Sequence, residues 1–574
     1  MLRLQSLFAA LVTALAISAC ATPAPRERLF CNGTIYLGAP DWTKVEALLV
    51  RDGRVVAAGS REELERQSPD AERIDLHGWV AVPGLQDAHG HFEGLGATEE
   101  WVDLRDCRSF AKVIELVVER AKETPKGSWI RARGWDQNLW NPPEFPTHEA
   151  LSAAVPDHPV LLERVDGHAA IANLAAMRVA GVDGPRESEA FDAGSPILQA
   201  FDAGGRVLLG ADKRPTGVFI DDACRLVERA VPPPTREQRK ARFLEAQVLL
   251  LGEGLTAVHD MGIDREGIEI LRELRDEGRL HLRAIEYLSG GAAMDERTVA
   301  GLPLAPDERD MLSVVGVKLY ADGALGSRGA ALLEPYHDEP TNSGLTLLSQ
   351  EELEHAIAVC AAQGLQPAVH AIGDRANRMV LDAYAKQLAR DPKFRELRLR
   401  VEHAQVVSPQ DWARFEELGA IASMQPTHAT SDMPWAPARL GPERIRGAYA
   451  WRRLVKDPSL LAFGSDFPVE PCDPLDGVYS AITCARPDGT PAGGFLPDQR
   501  LSAREAFSAF TFGAARAARQ EDRRGRLAPG YFADMTVFPF DPLECEPAKL
   551  LREEATQVII NGECVLRKFL GCFN

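Results

Sequence analysis

The chain has 574 residues, of which 45% are apolar and 26% charged, the composition of an ordinary globular protein. That length exceeds one small core and suits one large domain with additions. The net charge of −19 argues against nucleic acid or another polyanion as a partner, and leaves a small neutral substrate open.

The first twenty residues stand apart. Arg3 gives a weak positive start, Leu7 to Ile17 is an apolar run broken only by Thr13, and Ile17-Ser-Ala-Cys20 follows. The run is too short to span a bilayer, which takes about 20 residues, and has the layout of a secretory signal. The tetrapeptide resembles the bacterial lipobox, in which the signal is cut before a lipid-modified cysteine. The resemblance implies a signal peptide over 1–19, Cys20 as the acylated N-terminus and a tether over 20–28. It also implies a bacterial envelope protein, anchored through its lipid at the outer membrane on the periplasmic side, which Ala21 fits. An ordinary cleaved signal is the alternative.

Nine further cysteines lack any C-x-x-C spacing, so no zinc ribbon is read. An oxidising compartment permits disulfides. Cys472 with Cys484, near in sequence, and Cys31 with Cys564, expected near in space, are the candidate pairs.

Residues 29–80 look β-rich. Val45–Val50 and Arg54–Ala58 flank Asp52-Gly53, a hairpin signal. Asn561-Gly562 repeats that signal near the C-terminus. The two chain ends, 29–80 and 525–574, are therefore expected to join into one small β domain. Residues 81–524 alternate apolar strands with helical stretches such as Glu351–Gln363 and Arg375–Ala389, an α/β pattern with parallel strands. Eight strands are expected: Ala81–Gln86, Leu255–His259, Leu282–Tyr287, Val314–Tyr320, Gln366–His370, Leu397–His403, Ala420–Gln425 and Leu460–Ser465. Eight such units suggest a closed (β/α)8 TIM-like barrel. Residues 92–253 do not fit the repeat and read as a large insertion after the first strand.

Barrel enzymes place their chemistry at the C-terminal ends of the strands. The first strand leads to Gln86-Asp-Ala-His-Gly-His91, and residues i and i+2 of a strand share a face. His89 and His91 thus face one point, and imidazole is the commonest metal-binding side chain near neutral pH. Lys318 lies inside the apolar run of the fourth strand, where a buried lysine needs a reason. The fifth and sixth strands end in His370 and His403, and Asp466 follows the eighth. Each residue alone also reads as structural, and an Asp after Gly-Ser also reads as a helix cap.

This set resembles the amidohydrolase superfamily of metal-dependent hydrolases in residue type, order and strand position, over nearly everything after the signal. The resemblance implies two divalent metal ions. His89, His91 and Asp466 would hold one, and His370 and His403 the other. Lys318 would be carboxylated by CO2 to a bridging carbamate. Zinc suits imidazole and carboxylate ligands; iron, manganese and nickel also tolerate them. Gly134-Trp-Asp-Gln-Asn138, Arg164-Val-Asp-Gly-His168 with Asn173, Lys318 to Arg328, and Ser423-Met-Gln-Pro-Thr-His428 look like the N-substituted formamide deformylase-like branch, as does the long insertion.

The implied chemistry is attack of a metal-bridging hydroxide on a non-peptide C–N bond of an amide or formamide. Asp466 would be the proton shuttle, the alternative being a ligand only. His168 is a second catalytic candidate, for the carbonyl or oxyanion, or else structural. Tyr320, Arg328, His428 and Trp135 are substrate-contact candidates. Arg328 reads equally as a stitch from its loop to an acid, and Trp135 and Trp140 equally as core. His259-Asp260 read as support for the ligands, and Glu402, on the opposite strand face from His403 by alternation, as structural. Esters, lactones or phosphoesters on the same site are the alternative substrates; a non-catalytic binding lipoprotein is a third reading. The implied partners are a small-molecule substrate and, through Cys20, a membrane; a homodimer is compatible.

Overall fold

In this computed structural model, eight parallel strands form one sheet in chain order. They are β1 (Leu85–Gly90), β2 (Leu255–Ile263), β3 (Arg283–Ser289), β4 (Leu312–Tyr320), β5 (Gln366–Ala371), β6 (Arg400–His403), β7 (Ile421–Met424) and β8 (Leu461–Phe463). The structure describes residues 27–105, 107–165, 167, 169–184, 205–454 and 456–568. Every residue of β1, β6 and β7 is buried, because a parallel strand carries packing on both faces. Helices cover the outside, among them α1 (Phe92–Glu99), α2 (Arg236–Gly252), α3 (Arg265–Asp276), α4 (Gln350–Gln363) and α5 (Asp374–Arg390). Ser349 and Glu352 close a capping box at the start of α4, which fixes that helix just before β5.

The barrel is nearly closed, and its seam lies between β8 and β1. No strand ladder joins them; the Asp87 carboxylate does, accepting from Ser465 N, from Ser465 Oγ at 2.7 Å and from His89 N at 3.0 Å. Burial pushes Asp87 up to about 7 against those bonds. Asp466 N then donates to His89 O (2.7 Å) and His91 N to Phe467 O (2.8 Å). Gly464 is required at the seam, since a Cβ there would stand 2.4 Å from His89 N.

The first expected strand, 81–86, is in fact two. Val80–Pro83 belongs to a different sheet, pairing with Thr34–Ile35 on one side and Met535–Phe538 on the other. The chain breaks at Gly84, where a Cβ would meet Thr256 Oγ1 at 2.4 Å, and enters the barrel at Leu85. The sixth strand begins later than expected, at Arg400, because Pro392–Leu397 winds into a 3-10 turn.

Strands from both chain ends share a six-stranded sheet that includes Thr34–Tyr36, Val80–Pro83, Met535–Phe538 and Gln557–Ile560. Asp52-Gly53 and Asn561-Gly562 all have positive φ (49°, 78°, 55° and 69°), as type I′ hairpin turns require. Buried Arg283 at the start of β3 ties this sheet to the barrel, donating to both Asp534 oxygens at 2.7 and 2.8 Å and to Asn561 at 2.9 Å.

Within 92–253, α1 and α2 are barrel helices packed on each other so closely that a Cβ on Gly96 would stand 1.9 Å from Arg242 O. Between them a mixed six-stranded sheet spans Val102 to Ile220, in the order Arg206–Leu209, Pro215–Ile220, Ala169–Ala172, Val160–Arg164, Ile130–Trp135, Val102–Asp103.

Neither candidate disulfide forms; Cys31, Cys472, Cys484 and Cys564 are thiols. The helix Pro474–Thr483 separates Cys472 from Cys484, and its 10 residues span about 15 Å. Cys31 is packed among Leu29, Leu49 and Leu64, while Cys564 is exposed and donates to Leu566 O. Cys20, the signal and the tether to residue 26 lie outside the described residues. No helix among the described residues is long and apolar enough to cross a membrane.

Candidate metal centre

A cavity of about 620 Å³ opens at the C-terminal rim of the barrel, large enough for a ligand of drug size, with His89, Lys318, His370, His403 and Asp466 in its floor. Strand geometry delivers most of them. His89 and Gly90 close β1, and His91 follows as the residue preceding α1. Lys318 and Tyr320 end β4 on one face, and His370 ends β5 beside Tyr320.

His403 and Asp466 are aimed differently. Both have left-handed backbones, at φ 69° and 63°, a conformation uncommon outside glycine. It swings each side chain towards the barrel axis at the point where the strand gives way to a loop.

Asp466 is the hub. Its Oδ1 lies 3.2 Å from His91 Nε2 and 3.6 Å from His89 Nε2, and its Oδ2 lies 3.7 Å from His428 Nε2. Two clusters of potential ligand atoms therefore share it: His89, His91 and Asp466, and His403, His428 and Asp466, each within 4.8 Å. Asp466 Oδ1 and His428 Nε2 are buried without a hydrogen-bond partner. Buried polar atoms rarely stay unpaired, so the donor set fits a divalent cation between them.

The electrostatics agree. Burial and neighbouring Lys318 push His89 down to about 3, and burial holds His370 and His403 well below the usual imidazole range. All three are neutral with lone pairs available, as metal ligation requires. Burial opposes ionisation of Asp466, but His91 at 3.2 Å and the fields of His89 and His403 hold its carboxyl well below the usual carboxylate range.

The second layer fixes ring orientations. Glu402 Oε2 meets His89 Nδ1 at 2.7 Å and Gln425 Oε1 meets His403 Nδ1 at 2.8 Å. Each leaves Nε2 directed at the cavity, the usual support for a ligating histidine. Arg400, fully buried, holds Glu402 by two bonds of 2.7 and 3.0 Å. Its Nη2 also reaches Ala88 O and Ser423 Oγ, and its Nη1 reaches Tyr287 OH and His259 Nδ1. Burial would raise Glu402, but Arg400 and the His89 bond keep it far below its ordinary value.

Lys318 is also buried. Its Nζ lies 3.2 Å from His89 Nε2 and 4.9 Å from the Tyr320 ring centre, and burial pushes it down to about 8.

The structure thus brings His89, His91, Lys318, His370, His403 and Asp466 to one cavity, with Tyr320 and His428. It revises other expectations. His370 packs against the His403 ring at 4.5 Å between centres, but its Nε2 faces Gly323 O at 3.4 Å and Asp322 at 3.5 Å. His428, expected as a substrate contact, stands nearer to Asp466.

Glu402 is not on the far face of its strand. It points inward with Arg400, and the turned backbone at His403 lets both neighbours reach the site. Arg328 does not line the cavity; Asp338 holds it at 2.9 and 3.2 Å and Glu339 at 3.3 Å. Trp135 is core of the inserted sheet, stacked on Trp140 with its Nε1 donating to Leu162 O. His168 lies outside the described residues. His259 meets Arg400, and Asp260 accepts from Phe92 N at 2.9 Å. Arg400 escaped the sequence reading, although Arg-Val-Glu in one apolar strand places opposite charges at i and i+2, where two buried charges need each other.

An eight-stranded parallel barrel with histidines, a lysine and an aspartate converging at its C-terminal rim defines a metal-dependent hydrolase. The Amidohydrolase family model matches residues 72–566, and the chain belongs to that family. A model for an imidazolonepropionase-like composite domain of bacteria also matches 47–71. The chain is 32% identical over 553 residues to YtcJ of Bacillus subtilis (strain 168), which carries the name amidohydrolase; this covers 94% of this chain and all of that one. It is 25% identical over 555 residues to N-substituted formamide deformylase of Arthrobacter pascens, covering 94% and 98%. Among solved structures, an uncharacterized metal-dependent hydrolase from Pyrococcus horikoshii superposes with a TM-score of 0.74 at 28% identity, covering 91% of this chain and 99% of that one.

Proposed function

We propose that the protein hydrolyses a non-peptide C–N bond of an amide or N-substituted formamide. One observation carries this: Asp466, ionised and with a buried oxygen that no hydrogen bond satisfies, stands between two clusters of imidazoles. His89, His91 and Asp466 would hold one divalent ion, and His403 with His370 or His428 a second; zinc suits these ligands. Bound there, such ions would lower the pKa of a water from about 15.7 towards neutrality and polarise a carbonyl.

The chain's own groups do the rest. Asp466 accepts the proton of the attacking water and returns it to the departing nitrogen, which leaves poorly unless protonated. Glu402 and Gln425 hold the imidazoles still. Tyr320, at the rim of the floor, offers a hydroxyl to the substrate; burial pushes it up to about 12, so it stays a donor. The likeness to N-substituted formamide deformylase supports a formamide over an ester. Matched formamides and esters decide: turnover of esters alone would sink the amide reading.

Lys318 is the proposed bridging carbamate. Its neutral amine attacks CO2 and loses a proton, forming an N–C bond and an anionic oxygen ligand in place of a buried cation. Because the amine titrates near 8, its reactive form grows as pH rises through that value. Reconstitution of metal-stripped protein with zinc, at fixed dissolved CO2, should therefore quicken across that pH. A rate that is flat with pH and indifferent to CO2 would contradict the carbamate.

The lipobox-like Ile17-Ser-Ala-Cys20 supports an envelope protein held by lipid on Cys20, outer-membrane and periplasmic. Cys20→Ser should leave the protein in the soluble fraction of fractionated cells. Retention of that variant in the membrane fraction would count against the anchor.

A further inference from the structure

Three arginines line the cavity, and they differ in what they hold. Arg164 meets Asp136 at 2.7 Å and Gln137 at 2.9 Å. Arg439 is bonded to Asp338. Arg486 is held by backbone groups and not by an acid. Its N donates to Thr490 O (2.8 Å), and its carbonyl accepts from Gly489 N (2.8 Å) and Tyr479 OH (3.2 Å). Its Nε donates to Thr430 O at 3.3 Å. Among the described residues no carboxylate forms an ion pair with it, and its terminal guanidinium nitrogens are uncommitted at the half-buried cavity wall.

Three of the nearby acids bond to other groups. Glu470 accepts from Ser431 Oγ at 2.5 Å, and Asp432 from Tyr449 OH at 2.7 Å and Gln405 Nε2 at 3.0 Å. Asp488, two residues on, feels the field of Arg486 without forming an ion pair with it, and its Oδ1 caps its own turn by accepting from Thr490 N and Oγ1. Asp476 lines the same wall without pairing to Arg486. A guanidinium fixed at its backbone and Nε, with a free fork, is built for bidentate capture of a carboxylate. Along this wall the lining includes apolar groups, Trp435, Val469, Pro471 and Pro487, suited to a hydrocarbon segment.

We propose that Arg486 anchors a carboxylate at the end of the substrate remote from the scissile carbonyl, so that the substrate class is an amide joined through an apolar segment to a carboxylate. This rests on the hydrolase reading given above and names its specificity.

The test uses matched pairs of graded chain length, N-formyl-ω-aminoalkanoates against N-formylalkylamines, on the zinc-loaded full chain. Arg486→Met and Arg486→Lys are assayed beside it, with binding of ω-aminoalkanoates measured by calorimetry. At the best chain length the carboxylate member should be preferred at least about tenfold in kcat/KM, the worth of one charge-assisted bond pair. Arg486→Met should abolish the preference mainly through KM, and Arg486→Lys should restore part of it.

Equal turnover of both members at every length, or a preference that survives Arg486→Met, overturns the proposal while leaving the hydrolase reading intact. No turnover of either member, with ω-aminoalkanoate binding lost in Arg486→Met, upholds the anchor and sinks the formamide reading. No turnover, with binding absent or unchanged in the variant, overturns both.

Discussion

Asp466→Asn should lower kcat by about 10²–10⁴-fold, the range for removing a positioned proton carrier, in a protein that still folds. Asparagine preserves the shape of the side chain, and Asp466 N still bonds His89 O, so the seam survives. What is lost is the charge and the acceptor: the amide presents one oxygen where the carboxylate presents one to His89 and His91 and another to His428. Metal content should fall together with rate. A variant with full metal content and reduced kcat would isolate the proton transfer; a variant with unchanged kcat would remove Asp466 from the chemistry. Thermal melts with and without added zinc separate these outcomes from unfolding.

The second large effect is expected at Glu402. Glu402→Ala leaves Arg400 fully buried with its main partner gone and frees the His89 ring. Breaking one side of a buried ion pair costs about 3–5 kcal/mol, and loss of a ligand's supporting carboxylate costs about 10–100-fold in metal affinity. Glu402→Gln retains a hydrogen-bond partner for His89 and should recover part of both. Chemical denaturation gives the first quantity and a competing chelator the second. Near-wild-type stability in Glu402→Ala would show that Ser423, Ala88 and Tyr287 suffice to hold Arg400.

These two residues also mark how far the sequence reaches. The ligand candidates were legible because each is an odd residue in an apolar strand: two histidines at the end of β1, a lysine in β4, an aspartate after β8. Barrel order was legible because β2 to β8 alternate with helices. Where each of the last side chains points was not. Strict alternation puts Glu402 and His403 on opposite faces, and the left-handed backbone at His403 cancels that rule. Arg328 read equally as ligand-binding or stitching, since its partner Asp338 ten residues on could not be seen as a neighbour. Trp135 ends a strand of the inserted sheet, and the 3-10 turn Gln137–Leu139 folds Trp140 back onto it, a stacking that strand periodicity does not mark. His428 gained its place near Asp466 from the packing of the short helix Pro426–Asp432, after β7, against the loop after β8, a tertiary contact with no sequence spacing of its own. The split at Gly84 is of the same kind: one apolar run serves two sheets, and only the close approach of Thr256 shows where it divides.

The most direct test of metal-dependent hydrolysis is the metal content of the purified full chain, measured by mass spectrometry alongside hydrolysis of N-substituted formamides before and after chelation. Two divalent ions per chain are expected, with loss of activity as they are removed, recovery on adding zinc with CO2, and a reduced metal count in His89→Ala. Formamide hydrolysis that persists undiminished in metal-free protein would contradict it.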